Sequence, residues 1–189
     1  PSGTQLSYDF GALTGMGLGQ VEFIKGSQSA VFGSEAVGGV INLKTLSSNK
    51  EGSRGQFTAD FGSNETYSSS LSYEKVDEKG SAAVSVSRVE TAGFSAKKTG
   101  AGANELDPYS GNQISLSLSR GINNLDFSLS ALRSAESINY DGDWTPLADT
   151  TDRDTVVMRG SVGFDLGGTS HELGVTNGNF KRVYTFGTY

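Results

Sequence analysis

The chain contains no cysteine, one histidine and three prolines in 189 residues. Without cysteine there is no disulfide, no thiolate zinc site and no thiol nucleophile, while the redox compartment stays open, because oxidising compartments also hold cysteine-free proteins. His171 sits in a strand-like pattern with no Ser-His-Asp companion motif, so it reads as a hydrated or interfacial histidine rather than a catalytic base, and the chain reads as no enzyme. Cations are scarce: 15 Lys and Arg face 21 Asp and Glu, a net charge of -6 with no basic cluster, which argues against nucleic acid as a partner. No window reaches the 18 or so apolar residues of a transmembrane helix. Pro1 to Phe10 has neither the basic start nor the apolar middle of a signal peptide, and a first residue other than Met suggests a fragment or a processed product. Hydrophobic residues make up only 35% of the chain, low for one that must bury a core of its own. Glycine, by contrast, is abundant at 26 residues.

From Arg54 onward the sequence alternates with period two, over and over. Phe57, Ala59 and Phe61 interleave with Gln56, Thr58 and Asp60; Tyr67, Leu71 and Tyr73 with Ser68, Ser70, Ser72 and Glu74. Val84 and Val86 alternate with Ser85 and Ser87, Ile114 to Leu118 with Gln113 to Ser119, and Leu125 to Ala131 with Asp126, Ser128 and Ser130. Val156 to Leu166 is the clearest run, and a weaker one holds Leu173 and Val175. Successive strand residues point to opposite faces, so each run predicts a strand with one apolar and one polar side. Seven such runs predict an all-β fold.

The connections separate two all-β architectures. "DEKG" (77–80), "RGINN" (120–124) and "GGTS" (167–170) are tight hairpin turns, and they alternate with the other connections, a short "GSNE" (62–65) and two segments, 91–112 and 134–155, that read as long loops. Short turns at one end and long loops at the other are the asymmetry of outer-membrane barrels, and runs of about 9 to 11 residues suffice to cross hydrocarbon when tilted. A soluble sandwich would carry long Lys and Glu side chains on its outward faces; here serine dominates the polar faces. The pattern therefore favours a membrane barrel, whose lipid surroundings and polar lumen explain the low hydrophobic content. Seven strands do not close such a barrel, which uses an even number from eight upward.

Ahead of these runs lies "VEFIKGSQSAVFGSEAVGGVINLKT" (Val21 to Thr45). Val21 to Lys25 predicts a strand, Ser27 can cap a helical turn through Phe32 that Gly33 ends, and Val40 to Leu43 predicts a second strand. This stretch resembles the last part of the plug domain of TonB-dependent outer-membrane receptors, matching at Val21, Glu22, Gly26, Ser29, Ala30, Gly33, Ala36, Gly38, Gly39, Val40, Ile41, Asn42 and Thr45. Ser27, Lys25 and Phe32 depart from the proline, arginine and tyrosine usual there. The resemblance implies that residues 1–48 are the end of a plug and residues 52–189 the first strands of a 22-stranded barrel in a Gram-negative outer membrane. It further implies a receptor bathed by membrane lipid and lipopolysaccharide and driven by TonB through a plug segment that this sequence lacks. Asp60, Glu74, Asp126, Arg159 and Asp165 are then candidates to hold the plug from the lumen wall.

The loops narrow the implied cargo. Receptors of this family that import cobalamin bind calcium through acidic residues of their second and third extracellular loops. "NYDGDWTPLADT" (139–150) resembles the third-loop segment, offering Tyr140, Asp141 and Asp149; "NELDPY" (104–109) resembles the second, offering Glu105 and Asp107. "TAGFSA" (91–96) matches the start of the second loop, with Ser95 where an acidic ligand is expected. Carboxylates gathered from loops also suit calcium, a hard cation that takes six to eight oxygens. The reading is a TonB-dependent transporter for cobalamin or another corrinoid, with calcium as cofactor. A ferric-siderophore or haem receptor is the alternative within the family, and a passive porin or structural barrel the alternative outside it.

Overall fold

The computed structural model describes residues 18–27, 30, 36–45, 50–95, 106–140 and 149–186. A hairpin of β1 (Leu18–Lys25) and β2 (Gly39–Thr45) precedes seven strands: β3 (Gly52–Gly62), β4 (Thr66–Asp77), β5 (Gly80–Thr91), β6 (Tyr109–Ile122), β7 (Leu125–Tyr140), β8 (Asp149–Leu166) and β9 (Thr169–Thr185). These seven form one antiparallel sheet in sequence order, every neighbour joined through the connection between them. β2 lies against β6, with Cα atoms of the two strands within 8 Å. Each strand predicted from alternation is present. The helical turn expected from Ser27 to Phe32 falls largely outside the described residues.

One expectation about the connections needs correction. The segments 91–112 and 134–155 are not long loops throughout, because β6 begins at Tyr109, β7 runs on to Tyr140 and β8 starts at Asp149, which leaves 92–108 and 141–148 between strands. Ser134 to Tyr140 and Asp149 to Thr155 are polar on both faces, so hydrophobic alternation vanishes there while the backbone ladder continues, as in Ser137 opposite Asp152. The "GSNE" turn, with Asn64 and Glu65 at positive φ, shares its end of the sheet with the two longer connections, as the alternation of connections along the chain predicts.

Burial inverts the usual rule for a folded chain. Among the described residues the buried hydrophobic side chains are Ala36 and Ala83, whereas Glu74, Ser85, Ser87, Ser115, Glu136 and Thr151 are all buried. On β5 the exposure alternates strictly, with Ser85 at 2% and Ser87 at 3% against Val84 at 39% and Val86 at 50%. The polar face is turned inward and the apolar face outward. Phe57, Leu71, Val86 and Ile114 lie in one cross-strand row of that outer face, all of them exposed.

The outer apolar band does not run straight across the strands. Pairing leads from Ala59, in the middle of the band on β3, through Ser69, Arg88, Asn112, Ala135 and Asp154 to Lys181 on β9. On β9 the band is instead centred on Leu173, eight residues earlier (181 − 173). At about 3.4 Å per residue and about 4.8 Å between strands, six strand steps give about 27 Å along against about 29 Å across, a slant of about 40°. An apolar band that stays level in a slab therefore needs strands tilted by about that angle.

Glycine at position 80 is required by a close approach. A Cβ there would sit 2.1 Å from the Ser119 carbonyl oxygen of the adjoining strand. Gly55, by contrast, has nothing nearer than 3.9 Å. Gly80→Ala is expected to lower stability by about 1–3 kcal/mol through forced separation of β5 and β6, and Gly55→Ala to change it by less than about 0.5 kcal/mol. Urea unfolding of the two variants measures the difference.

Candidate functional site: the inward face and its loop-end rim

Serine sets the chemistry of the inward face. Ser85 and Ser115 Oγ atoms lie 2.7 Å apart, Ser81 and Ser119 2.8 Å, and Ser128 and Ser161 2.6 Å, each pair bridging neighbouring strands. A hydroxyl both donates and accepts, so such a row satisfies itself and still offers lone pairs to water. The face is not uniformly polar, since Leu132 on β7 stands opposite Val157 on β8.

Four of the five charged residues expected to hold a plug are met within the sheet by side chains of adjoining strands. Asp60 accepts a hydrogen bond from Ser68 Oγ at 2.9 Å, and Asp165 one from Ser170 Oγ at 2.6 Å. Arg159 pairs with Glu172 at 2.9 Å, and Glu74, buried on β4, lies 3.7 Å from Arg54. Asp126 stands opposite Gly163 on β8 and Gly121 on β6.

Toward the longer connections the inward face becomes ionic. Glu136 on β7 is paired with Arg153 on β8 at 4.0 Å, their side chains 7% and 16% exposed, and Arg153 stands directly opposite Arg182 on β9. Arg182 donates to the Tyr184 hydroxyl at 3.0 Å and lies 5.8 Å from the centroid of its ring. Tyr109 opens β6 one row nearer the connections, opposite Ile138. Glu136, Arg153, Arg182 and Tyr184 did not stand out from the sequence, because they occupy the stretch where both faces are polar. Spacing of two from the last inward hydroxyl residue, Ser134 to Glu136 and Thr155 to Arg153, is the signal that places Glu136 and Arg153 inward.

The described candidate calcium residues, Asp107, Tyr140 and Asp149, all lie at this end of the sheet. Asn139 N–H donates to the Pro108 carbonyl at 3.0 Å, which brings Asp107 beside the end of β7, and Tyr140 pairs across the ladder with Asp149. Thr150 Oγ1 donates to Asn139 Oδ1 at 3.2 Å and ties the same two strand ends. Two carboxylates and a phenol thus share one end of the sheet. Among the described residues no three His, Cys, Asp or Glu side chains form a metal-holding group; Glu105 and Asp141, the other two candidates, lie outside them.

The plug-motif residues behave as a hairpin. Gly26 N–H donates to the Gly38 carbonyl at 3.2 Å, and Asn42 Nδ2 donates to Glu22 Oε2 at 2.8 Å from directly across the ladder. Gly39 adopts φ +153°, and a Cβ there would meet the Ile24 carbonyl oxygen at 2.7 Å. Ala30 is exposed, and Ser29 and Gly33 lie outside the described residues. No protein-family model matches the chain, and no curated protein sequence matches it.

Truncating one member of the buried ion pair leaves the other uncompensated next to a like charge. Glu136→Ala is expected to lower stability by about 3 kcal/mol, and adding Arg153→Met to restore more than half of that loss. A urea-unfolding double-mutant cycle measures both.

Proposed function

We propose that this chain is the end of a plug, residues 1–48, followed by the first seven strands, residues 52–189, of the barrel of a TonB-dependent outer-membrane receptor that imports a corrinoid such as cobalamin. The observation that carries the membrane part of the reading is the inversion of burial: large apolar side chains point outward along a slanted band while serine and paired charges point inward. Contiguous exposed apolar surface of this extent marks a membrane or a protein interface. Water rewards no such exposure, whereas a bilayer accommodates it and a hydrated lumen accepts the serine face.

The transport and cargo parts rest on the resemblance of residues 21–45 and of the two rim segments, with support from their geometry. β2 approaches β6, with some Cα atoms of the two strands within 8 Å, a proximity that a plug element inside a barrel would also have. Asp107, Tyr140 and Asp149 gather at one rim, where Glu105 and Asp141 would complete an oxygen cage for calcium. Calcium bound there would neutralise the carboxylates and order the two connecting segments over the mouth of the lumen. Binding and release then involve no covalent step. Energy would enter through TonB acting on a plug segment outside this sequence.

A cysteine-free chain makes the orientation directly testable. Single replacements Ser72→Cys, Ser117→Cys and Ser130→Cys, at inward positions that are partly exposed, are expected to react with a charged, water-soluble maleimide in the membrane-embedded receptor, while Val84→Cys, Val86→Cys and Leu116→Cys stay protected. Reaction at the valine and leucine positions with protection at the serines would sink the membrane reading. For the cargo, calorimetric titration of the detergent-solubilised receptor with cyanocobalamin is expected to show binding that weakens about tenfold or more when calcium is chelated. An Asp141→Ala, Asp149→Ala variant should behave like the chelated protein. Absence of cobalamin binding under both conditions would remove the corrinoid assignment and leave the membrane reading standing.

A further inference from the structure

The outer face carries a groove of about 590 Å³ near the tight-turn end of the sheet, and the inference below rests on the membrane reading of that face. Its floor is the start of β5, where Gly80 and Ala82 leave the surface low. Two neighbouring cross-strand rows build its walls. In the first, Lys75 on β4 stands opposite Ala82, which stands opposite Leu118 on β6 and then Leu129 on β7; in the second, Asp77 stands opposite Gly80, then Arg120, then Phe127. Because Gly80 has no side chain, Arg120 reaches across β5 and donates from Nη1 to both carboxylate oxygens of Asp77, at 3.0 and 2.9 Å. This ion pair arches over the groove at the turn end.

The groove is therefore apolar along one wall, closed by paired charges at the edge of the apolar band, and flanked by the ammonium of Lys75, which has no carboxylate within salt-bridge distance among the described residues. We propose that it seats one glycerophospholipid, with an acyl chain lying over Ala82 against Leu118, Phe127 and Leu129 and the phosphate held by Lys75. Charge complementarity selects this occupant. A hydrocarbon chain matches the wall but leaves Lys75 without a counter-ion at the edge of the band, and a soluble anion matches Lys75 but leaves the wall wet. A phospholipid supplies both parts in one molecule, at the depth where the apolar band gives way to the charged turns. Asp77 faces the same space, so an ammonium-bearing headgroup adds a second complementary contact. The slant of the band places this groove at its lower margin on β5, where Ala82 is the last apolar residue before the turn.

The test is native mass spectrometry of the receptor purified in detergent, titrated separately with phosphatidylethanolamine, phosphatidylglycerol, diacylglycerol of the same chains, and hexa-acyl lipid A. One phosphatidylethanolamine or phosphatidylglycerol is expected to stay bound where diacylglycerol is lost. Lys75→Gln is expected to weaken the bound phospholipid by about fivefold, the effect of one cation near an anionic lipid surface. Ala82→Phe, which fills the floor and leaves the charges in place, is expected to abolish the tightly held molecule, while Ala59→Phe on the same face of β3 leaves it bound. Equal retention of diacylglycerol, or identical binding by wild type and both groove variants, overturns the proposal and describes ordinary surrounding lipid. Tighter binding of lipid A that the groove variants remove overturns the choice of occupant. A receptor found only in the aqueous fraction overturns this proposal together with the membrane reading, an outcome that the cysteine-labelling pattern reports independently.

Discussion

The structure depends on one uninterrupted set of interstrand backbone hydrogen bonds. From β3 to β9 the pairing registers run without a slip, whereas the β1–β2 hairpin has an irregularity between Leu18 and Gln20. An ordinary domain relies on buried apolar side chains, but here the buried hydrophobics among the described residues are two alanines. In water a backbone hydrogen bond contributes only about 1 kcal/mol net, because the unfolded chain bonds to solvent instead. In hydrocarbon that competitor is gone, and each unpaired group costs several kcal/mol. The ladder thus holds the sheet together most strongly in the environment for which its outer face is suited.

Given that ladder, the two faces are free to do different things, and residue size divides the labour. Serine on the inner face is short enough to let its neighbours on adjoining strands meet it at hydrogen-bond distance, so the row Ser81, Ser119, Ser128, Ser161 is consistent from strand to strand. Longer side chains interrupt that face at intervals, and toward the longer connections Glu136, Arg153 and Arg182 stand in one row across three strands. That row lies beside the Tyr140–Asp149 rim. Charge on the inward face is thus spread along the strands, with Arg54–Glu74 and Arg159–Glu172 away from the longer connections and Glu136–Arg153 beside them.

How much of this could be read in advance differs between the two halves of each strand. Where one face meets an apolar environment, as at Phe57 to Phe61 or Val156 to Leu166, period-two alternation locates the strand and assigns its faces. Beyond the apolar band both faces meet polar surroundings, so "SAESINY" and "DTTDRDT" carry no alternation although their backbones pair as regularly as the rest. For the same reason the Glu136–Arg153 pair escaped notice, and the rim was visible only through a resemblance in the two connecting segments. The slanted band needed the registers as well as the sequence, because a diagonal is a relation between strands. Phe57 and Leu173 belong to one band only once it is known that Ala59 leads across to Lys181.

The same registers constrain how the two edges of the sheet can be satisfied. Each step from β3 to β9 reverses direction, so after six reversals β9 runs the same way as β3. Direct joining of these edges would make a parallel seam in an otherwise antiparallel sheet, with slanted rather than perpendicular hydrogen bonds and a crossover connection in place of a tight turn. Antiparallel closure instead requires an odd number of further strands between them, whatever chain supplies those strands. The partner of β9 must also match its faces, apolar beside Leu173 and Val175 on the outside and acidic or hydroxylated beside Arg182 on the inside. A strand with the alternation and slant of β3 to β8 meets both conditions, and each such strand added carries the slanted band onward by the same offset. The edge of this sheet therefore specifies the architecture of what completes it.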